Sequence, residues 1–511
     1  MPLSPVTFPS PGFMGLNKQK AQVPVGPEWA IDARNCVIDG AGRIASRKGY
    51  VNQTTSPISG TPSILSLHEY VKADGTTTLI AGTASDIWES TNNGVSWSSV
   101  EGAVAATAGN WQFVNFNDKV IGAQASHALI VKTSGNFAAV SASSGVVPTQ
   151  PVAVLAAFGR IWTISSDGKT LKWSALLDET KWATADGAGS QDLNYLWTKG
   201  TDTGVALGAF GSTLVVFGKR HIFLFTDGSG SDRGLDPTTM YVGDTIEGVG
   251  CVARDSVQPL GEGDLIFLSQ HGIRSMQRTI QEKQTPLQDL TGNSRDYVNA
   301  VLLASGITAS KMKSVVSPEN GFYLLSSPDS NRTICVDVRA PLQDGTFRTF
   351  DWDGFIPNSM VRRLNGDILF GWAGKVGKYS GYLDDTSTYR FVFRSGFIDM
   401  GPEGNTQNKQ LKNIILTAFS PSASIATVKW YWDFRLDFHS YQLEYNDDVV
   451  SEYNESNYDT AQYGGILSQR IDRIPGWGSG QYVSFGVEMD INGYPYAINS
   501  MTAYLQTTGL V

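Results

Sequence analysis

The residues able to do chemistry are few and scattered. Five histidines, His68, His127, His221, His271 and His439, stand apart, and no HxxxH or HExxH spacing sets two on one helical face to hold a metal. Core or surface roles are expected for all five. Cys36, Cys251 and Cys335 are far apart and lack zinc-site spacing, so they read as buried, idle thiols made in a reducing compartment. The run Gly248-Val-Gly-Cys-Val-Ala253 superficially fits a dinucleotide loop, but neither a βαβ unit nor an opening helix accompanies it. The sequence contains no GxxxxGK[ST] phosphate loop and no GxSxG elbow. Asp351-Trp-Asp-Gly354 offers two carboxylates that calcium could use, without the third acid and distal Glu of a dedicated loop, so a strand-end turn is expected. No catalytic, cofactor-binding or metal-ligating residue is assigned. The expectation is a protein without a cofactor that is not an enzyme.

One octet, Ser90-Thr-Asn-Asn-Gly-Val-Ser-Trp97, resembles an Asp-box, with Asn92 for Asp and Ser96 for Thr. Its physics is structural: a polar side chain and a Gly close a hairpin while the Trp packs beneath it. Asp-boxes occur in sialidases, which also carry an Arg-Ile-Pro motif ahead of them. Here Arg473-Ile-Pro475 comes far behind, in the wrong order.

These positions are carried by elements that read as short strands. Gly is abundant at 54 residues, aromatics reach 11% and charge only 17%, a balance that favours turns and β structure. Residues 111–227 read three times as strand, turn, strand, with bends at Asn117-Asp118, Phe158-Gly159 and Gly211-Ser212. The repeat, roughly 40 to 50 residues, is that of a propeller blade. The pattern continues to about residue 379, giving six or seven blades, interrupted by an expected helix over 294–304 with Asn293 or Ser294 as cap and Gly306 as stop. From Tyr389 the strands lengthen and alternate, as in Val428-Lys-Trp-Tyr-Trp-Asp-Phe434, predicting a sandwich. The fold class is all-β: a six- or seven-bladed β-propeller plus a β-sandwich-like platform. Residues 1–60 are an extended arm and hairpin packing on the platform, 61–384 the propeller, and 385–511 the platform with an insertion over 439–480.

The insertion is polar. It carries Tyr441, Tyr445, Tyr453, Tyr458 and Tyr463 among Glu444, Asp447, Asp448, Glu452, Glu455 and Asp459, with no Lys or Arg between Arg435 and Arg470. Tyrosine supplies broad contact area at low entropic cost, so a protein interface is expected there. The formal net charge of −9, with cations scattered, lacks the clustered footprint of nucleic-acid binding. The first eleven residues have neither a basic start nor an apolar run, so no secretory signal is expected, and no stretch reaches the length of a membrane span.

Gly12-Phe-Met-Gly-Leu-Asn17, Val25-Gly26, Ala30, Arg34-Asn-Cys-Val37, Gly40-Ala-Gly-Arg-Ile44 and Arg47-Lys-Gly-Tyr50 together resemble the opening of the tail nozzle proteins of short-tailed bacteriophages, also called tail tubular protein B or packaged-DNA stabilisation protein. The ending Tyr496-Ala-Ile-Asn-Ser-Met-Thr-Ala-Tyr-Leu-Gln-Thr-Thr-Gly509 resembles that family's last platform strand. The resemblance implies a structural protein of the virion tail, assembled in the host cytoplasm. It implies a homo-hexameric ring that continues the DNA channel below the portal and tail adaptor, retains packaged DNA and conducts it during ejection. Its implied partners are the adaptor (head-to-tail connector) protein, tail fibre or needle/plug proteins, and double-stranded DNA passing without sequence-specific binding. The alternative is a glycan-binding or sialidase-like propeller in host recognition.

Overall fold

The computed structural model describes residues 4–9, 12–19, 26–104, 109–197, 200–227, 235–261, 263–281, 289–399, 407–421, 424–445 and 467–510. The chain is an all-β β-propeller arrangement joined to a sandwich. Six blades stand as separate sheets, begun by the inner strands Ser66–Val71, Gln112–Phe116, Ala153–Ala157, Gly204–Phe210, Gln258–Leu260 and Ser359–Arg362. The ring closes through one further sector, Lys313–Ser317 to Arg348–Asp353, which forms the first four strands of a ten-stranded sheet shared with the platform. Each inner strand packs on the next all the way round.

Hairpin chemistry builds the blades. Asn117 and Asp118 take φ of 44° and 57°, and Phe158 and Gly159 take 54° and 68°, the paired positive values that match a turn to strand twist. Between neighbouring blades lie separate apolar cores, such as that of Tyr70, Ile80, Trp111, Phe113 and Ile130. The expected strands are present to within a few residues; the sequence reading missed the inner strands Gln258–Leu260, Lys313–Ser317 and Ser359–Arg362, the outer strands Gly189–Asp192 and Met240–Glu247, and the platform strands Phe438–Tyr445 and Leu467–Pro475. The expected helix is shorter, Arg295–Leu302, after a single 3-10 turn. Ser294 makes no side-chain cap bond, and Asn293 donates instead to Asp344 (2.8 Å) and Thr346 (2.6 Å).

The platform is a sandwich of two sheets. In one, Gln407–Pro421 lies between Leu467–Pro475 and Ala497–Leu510; in the other, Ser424–Trp432 lies between Phe438–Tyr445 and Val483–Ile491. Leu411, Ile414 and Leu416 meet Val428, Phe485 and Val487 in the core between them.

The N-terminal segment differs from a single arm and hairpin because it feeds three sheets. Ser4–Pro9 pairs with Ala497–Leu510 as an edge strand, where its two prolines cost no interior ladder bonds. Trp29–Arg34 joins the ten-stranded sheet beside Tyr389–Ser395. The chain then breaks at Asn35 (φ 55°), so that the hairpin Cys36–Ile38 with Ile44–Ser46 enters the platform's other sheet. Tyr50–Asn52 finally becomes the outer strand of the last blade, against Val376–Tyr379.

Candidate functional site

The motif residues of the opening segment meet at the seam between propeller and platform. Arg47 is fully buried and sends Nη1 and Nη2 to the two oxygens of Asp384 at 2.8 and 2.7 Å. Its Nε donates to Asn35 Oδ1 at 2.9 Å, and its guanidinium lies 4.0 Å from the Tyr389 ring centroid. Gly49 is required by packing, since a Cβ there would fall 1.8 Å from the Leu383 carbonyl oxygen. Tyr50 then stacks on Trp372 at 4.0 Å. Sequence spacing alone gave these positions no physical role; the seam supplies it.

Asp351, Asp353 and four of the five histidines are engaged in structure. Asp351 accepts from Tyr297 and Arg332, while Asp353 pairs with Arg34, Arg332 and Asn35. The strand ends there, and Gly354 turns at φ 71°. His68 bonds Asn115 at 3.0 Å, His221 bonds Asp202 at 3.0 Å, His127 stacks on Trp111, and His439 accepts from Trp477 Nε1 at 3.0 Å. His271 is exposed. Among the described residues no group of three or more His, Cys, Asp or Glu could hold a metal ion. All three cysteines are free and buried, and burial pushes the Cys251 thiol up to about 12. In the glycine pair near Cys251, Gly250 exists for close packing: a Cβ would lie 2.2 Å from the Lys219 backbone.

The Asp-box works as a turn. Ser90 Oγ donates to Asn92 Oδ1 (2.8 Å) and accepts from the Gly94 amide (2.8 Å), while Asn92 Oδ1 also accepts from the Ser96 amide (3.0 Å). Trp97 packs on the core between the last and first blades. Arg473 lies on the platform strand Leu467–Pro475. Of the Tyr-rich insertion, Tyr441, Glu444 and Tyr445 are described, and Tyr445, 3% exposed, belongs to the sandwich core instead of a surface. Residues 446–466, with Tyr453, Tyr458, Tyr463, Asp447, Asp448, Glu452, Glu455 and Asp459, lie outside the described residues.

A cavity of about 510 Å³ occupies the propeller axis, lined by inner-strand residues of five sectors. A charged lock crosses the ring where these strands begin. Arg254 bonds Asp255 (2.7 Å), the Val152 carbonyl (3.1 Å) and the Asn110 carbonyl (3.3 Å), and Lys313 donates to both Asp255 and Asn110. Burial pushes the Asp255 carboxyl up, but Arg254 and Lys313 outweigh it and hold it well below the usual range. Burial likewise pushes Lys313 down, with Asp255 opposing. No spacing in the sequence links residues 110, 254 and 313, because only ring closure brings them together. Among the lining residues Asp255 is the only acid, and both its oxygens are occupied, whereas glycoside hydrolysis generally needs two free carboxyl groups.

No family model matches the chain, and no curated protein matches it. Solved structures similar to it include BamB from Moraxella catarrhalis, 14% identical over 66% of this chain and 93% of that one (TM-score 0.39). The extracellular domain of BT4673 from B. thetaiotaomicron is 9% identical, with 86% of this chain and 62% of that one covered (TM-score 0.42). YCF48 bound to D1 peptide is 13% identical over 71% of this chain and 99% of that one (TM-score 0.37).

Proposed function

We propose that this chain is a structural subunit of a phage tail, a nozzle protein that assembles as a ring through its platform and works as a scaffold without catalysis. The observation that carries the reading is where apolar surface is left exposed. Of fifteen exposed large hydrophobic side chains among the described residues, eight lie in the platform's quarter of the chain. Leu436 (91%) and Ile471 (71%) are the most exposed of the eight, and they lie, with Phe438 (49%), on or beside the edge strands Phe438–Tyr445 and Leu467–Pro475. Exposed apolar groups concentrated at unpaired strand edges favour association.

The platform is also acidic. Residues 385–511 hold 14 Asp and Glu against 8 Lys and Arg, a net −6 of the chain's −9. A lumen bordered by such surfaces repels phosphates, which lets DNA slide without the desorption cost of fixed cation contacts. The charged lock across the propeller axis makes that axis unsuited to DNA, so on this reading the lumen forms between copies. Adaptor and fibre or plug proteins would take the ring's two ends. The test is sedimentation of the full chain beside a Leu436→Glu/Phe438→Glu variant. A large assembly reduced to monomer in the variant supports the proposal, and a wild-type monomer at high concentration removes it.

A further inference from the structure

The closed end of the axial cavity holds more hydrogen-bond donors than acceptors. Asp255 takes three hydrogen bonds from Arg254 and Lys313, Asn110 Oδ1 accepts from both cations, and Gln112 Oε1 accepts from the Val154 amide at 2.9 Å. The donors are not used up. Lys313 carries three N–H groups and meets two acceptors; Arg254 Nη1 carries two and meets the Val152 carbonyl. Charge is unbalanced in the same sense, with two cations facing one carboxylate and Lys313 only 7% exposed.

A buried surplus of positive charge and free N–H groups calls for an anionic acceptor. Beyond the lock the walls mix apolar side chains, Leu67, Phe113, Val257 and Met360, with polar ones, Ser66, His68, Gln258 and Ser359. The volume, about 510 Å³, lies in the range of small-molecule sites. We infer that the propeller axis binds a small organic carboxylate, its oxygens seated on Lys313, Arg254 and Gln112 Nε2 and its hydrocarbon body against Leu67, Phe113, Val257 and Met360. This site is separate from the platform surface that the nozzle reading rests on, and it stands whether or not the chain forms a ring.

Calorimetric titration of the full chain with benzoate and hexanoate, against benzamide and hexanamide at matched ionic strength, tests it. The carboxylates should bind saturably at one site per chain and the amides at least tenfold more weakly. Gln112→Glu is the decisive variant: it keeps an acceptor for the Val154 amide, so the fold is retained, but places a negative charge at the seat and should weaken carboxylate binding at least tenfold. Lys313→Met should abolish it. Carboxylates that bind no better than their amides, or binding unchanged in Gln112→Glu, would overturn the inference.

Discussion

Arg47 and Asp384, 337 positions apart, face each other through two parallel hydrogen bonds of 2.8 and 2.7 Å at the seam of propeller and platform. The fork of the guanidinium matches the carboxylate, and Arg47 has no exposure to water. Removing one partner of a buried pair leaves the other uncompensated, at a cost of about 3–5 kcal/mol. Arg47→Met should lower the urea midpoint accordingly, and Arg47→Lys should restore only part of the loss because it cannot make the fork.

Two residues on, Gly49 admits no side chain. Its Cβ would stand 1.8 Å from the Leu383 carbonyl, and Leu383 is held because that oxygen accepts the Tyr50 amide at 2.9 Å. Gly49→Ala should therefore cost about 3 kcal/mol by forcing the backbone apart. Thermal unfolding of the variant checks this, and a melting temperature equal to the parent's would show that the seam yields.

Asp202 knots the loop before the fourth blade's turn, accepting from the Thr203 and Arg220 amides (2.7 and 2.8 Å) and facing His221. Burial pushes its carboxyl up, but His221 and those amides outweigh it, leaving it below the ordinary 3.8. A depressed carboxylate contributes its stability in full above the unfolded value and loses it as pH falls through the folded one. Stability should thus drop more steeply below about pH 4 in the parent than in Asp202→Asn, whose acid limb should be flatter. Parallel denaturation curves at pH 3 to 6 make the comparison.

Asn92 organises the Asp-box turn without touching the platform. Asn92→Ala should lose about 1–2 kcal/mol from unsatisfied turn groups. Assembly, followed by light scattering, should be unchanged, which separates blade stability from ring formation.

The blades were legible because their signals are local. Asn117-Asp118 and Phe158-Gly159 announce turns, and the apolar runs beside them can only be strands. The outer strand Gly189–Asp192 escaped because Gly-Ser-Gln-Asp has no apolar residue to alternate, and Met240–Glu247 because its inward set, Met240, Val242 and Ile246, is interrupted at Asp244 and set beside Gly243. The three-sheet path of the N-terminal segment was illegible for a different reason: the break at Asn35 depends on a positive φ stabilised by Asp351, Asp353 and Arg390, all more than 300 residues away. The axial lock hid in the same way, since Asn110, Arg254 and Lys313 become neighbours only when the ring closes. Tyr445 was misread because its hydroxyl and aromatic character suit surface and core alike, and its place in the sandwich decides the matter.

The central claim is that the platform builds a ring whose lumen lies between copies. Electron cryo-microscopy of the purified full chain at high concentration tests it most directly. A ring of six with an acidic lumen bordered by platforms, and with each propeller axis closed by Arg254, Asp255 and Lys313, is the result the account predicts. A population of single copies, or a ring whose lumen is lined by lysine and arginine, would contradict it.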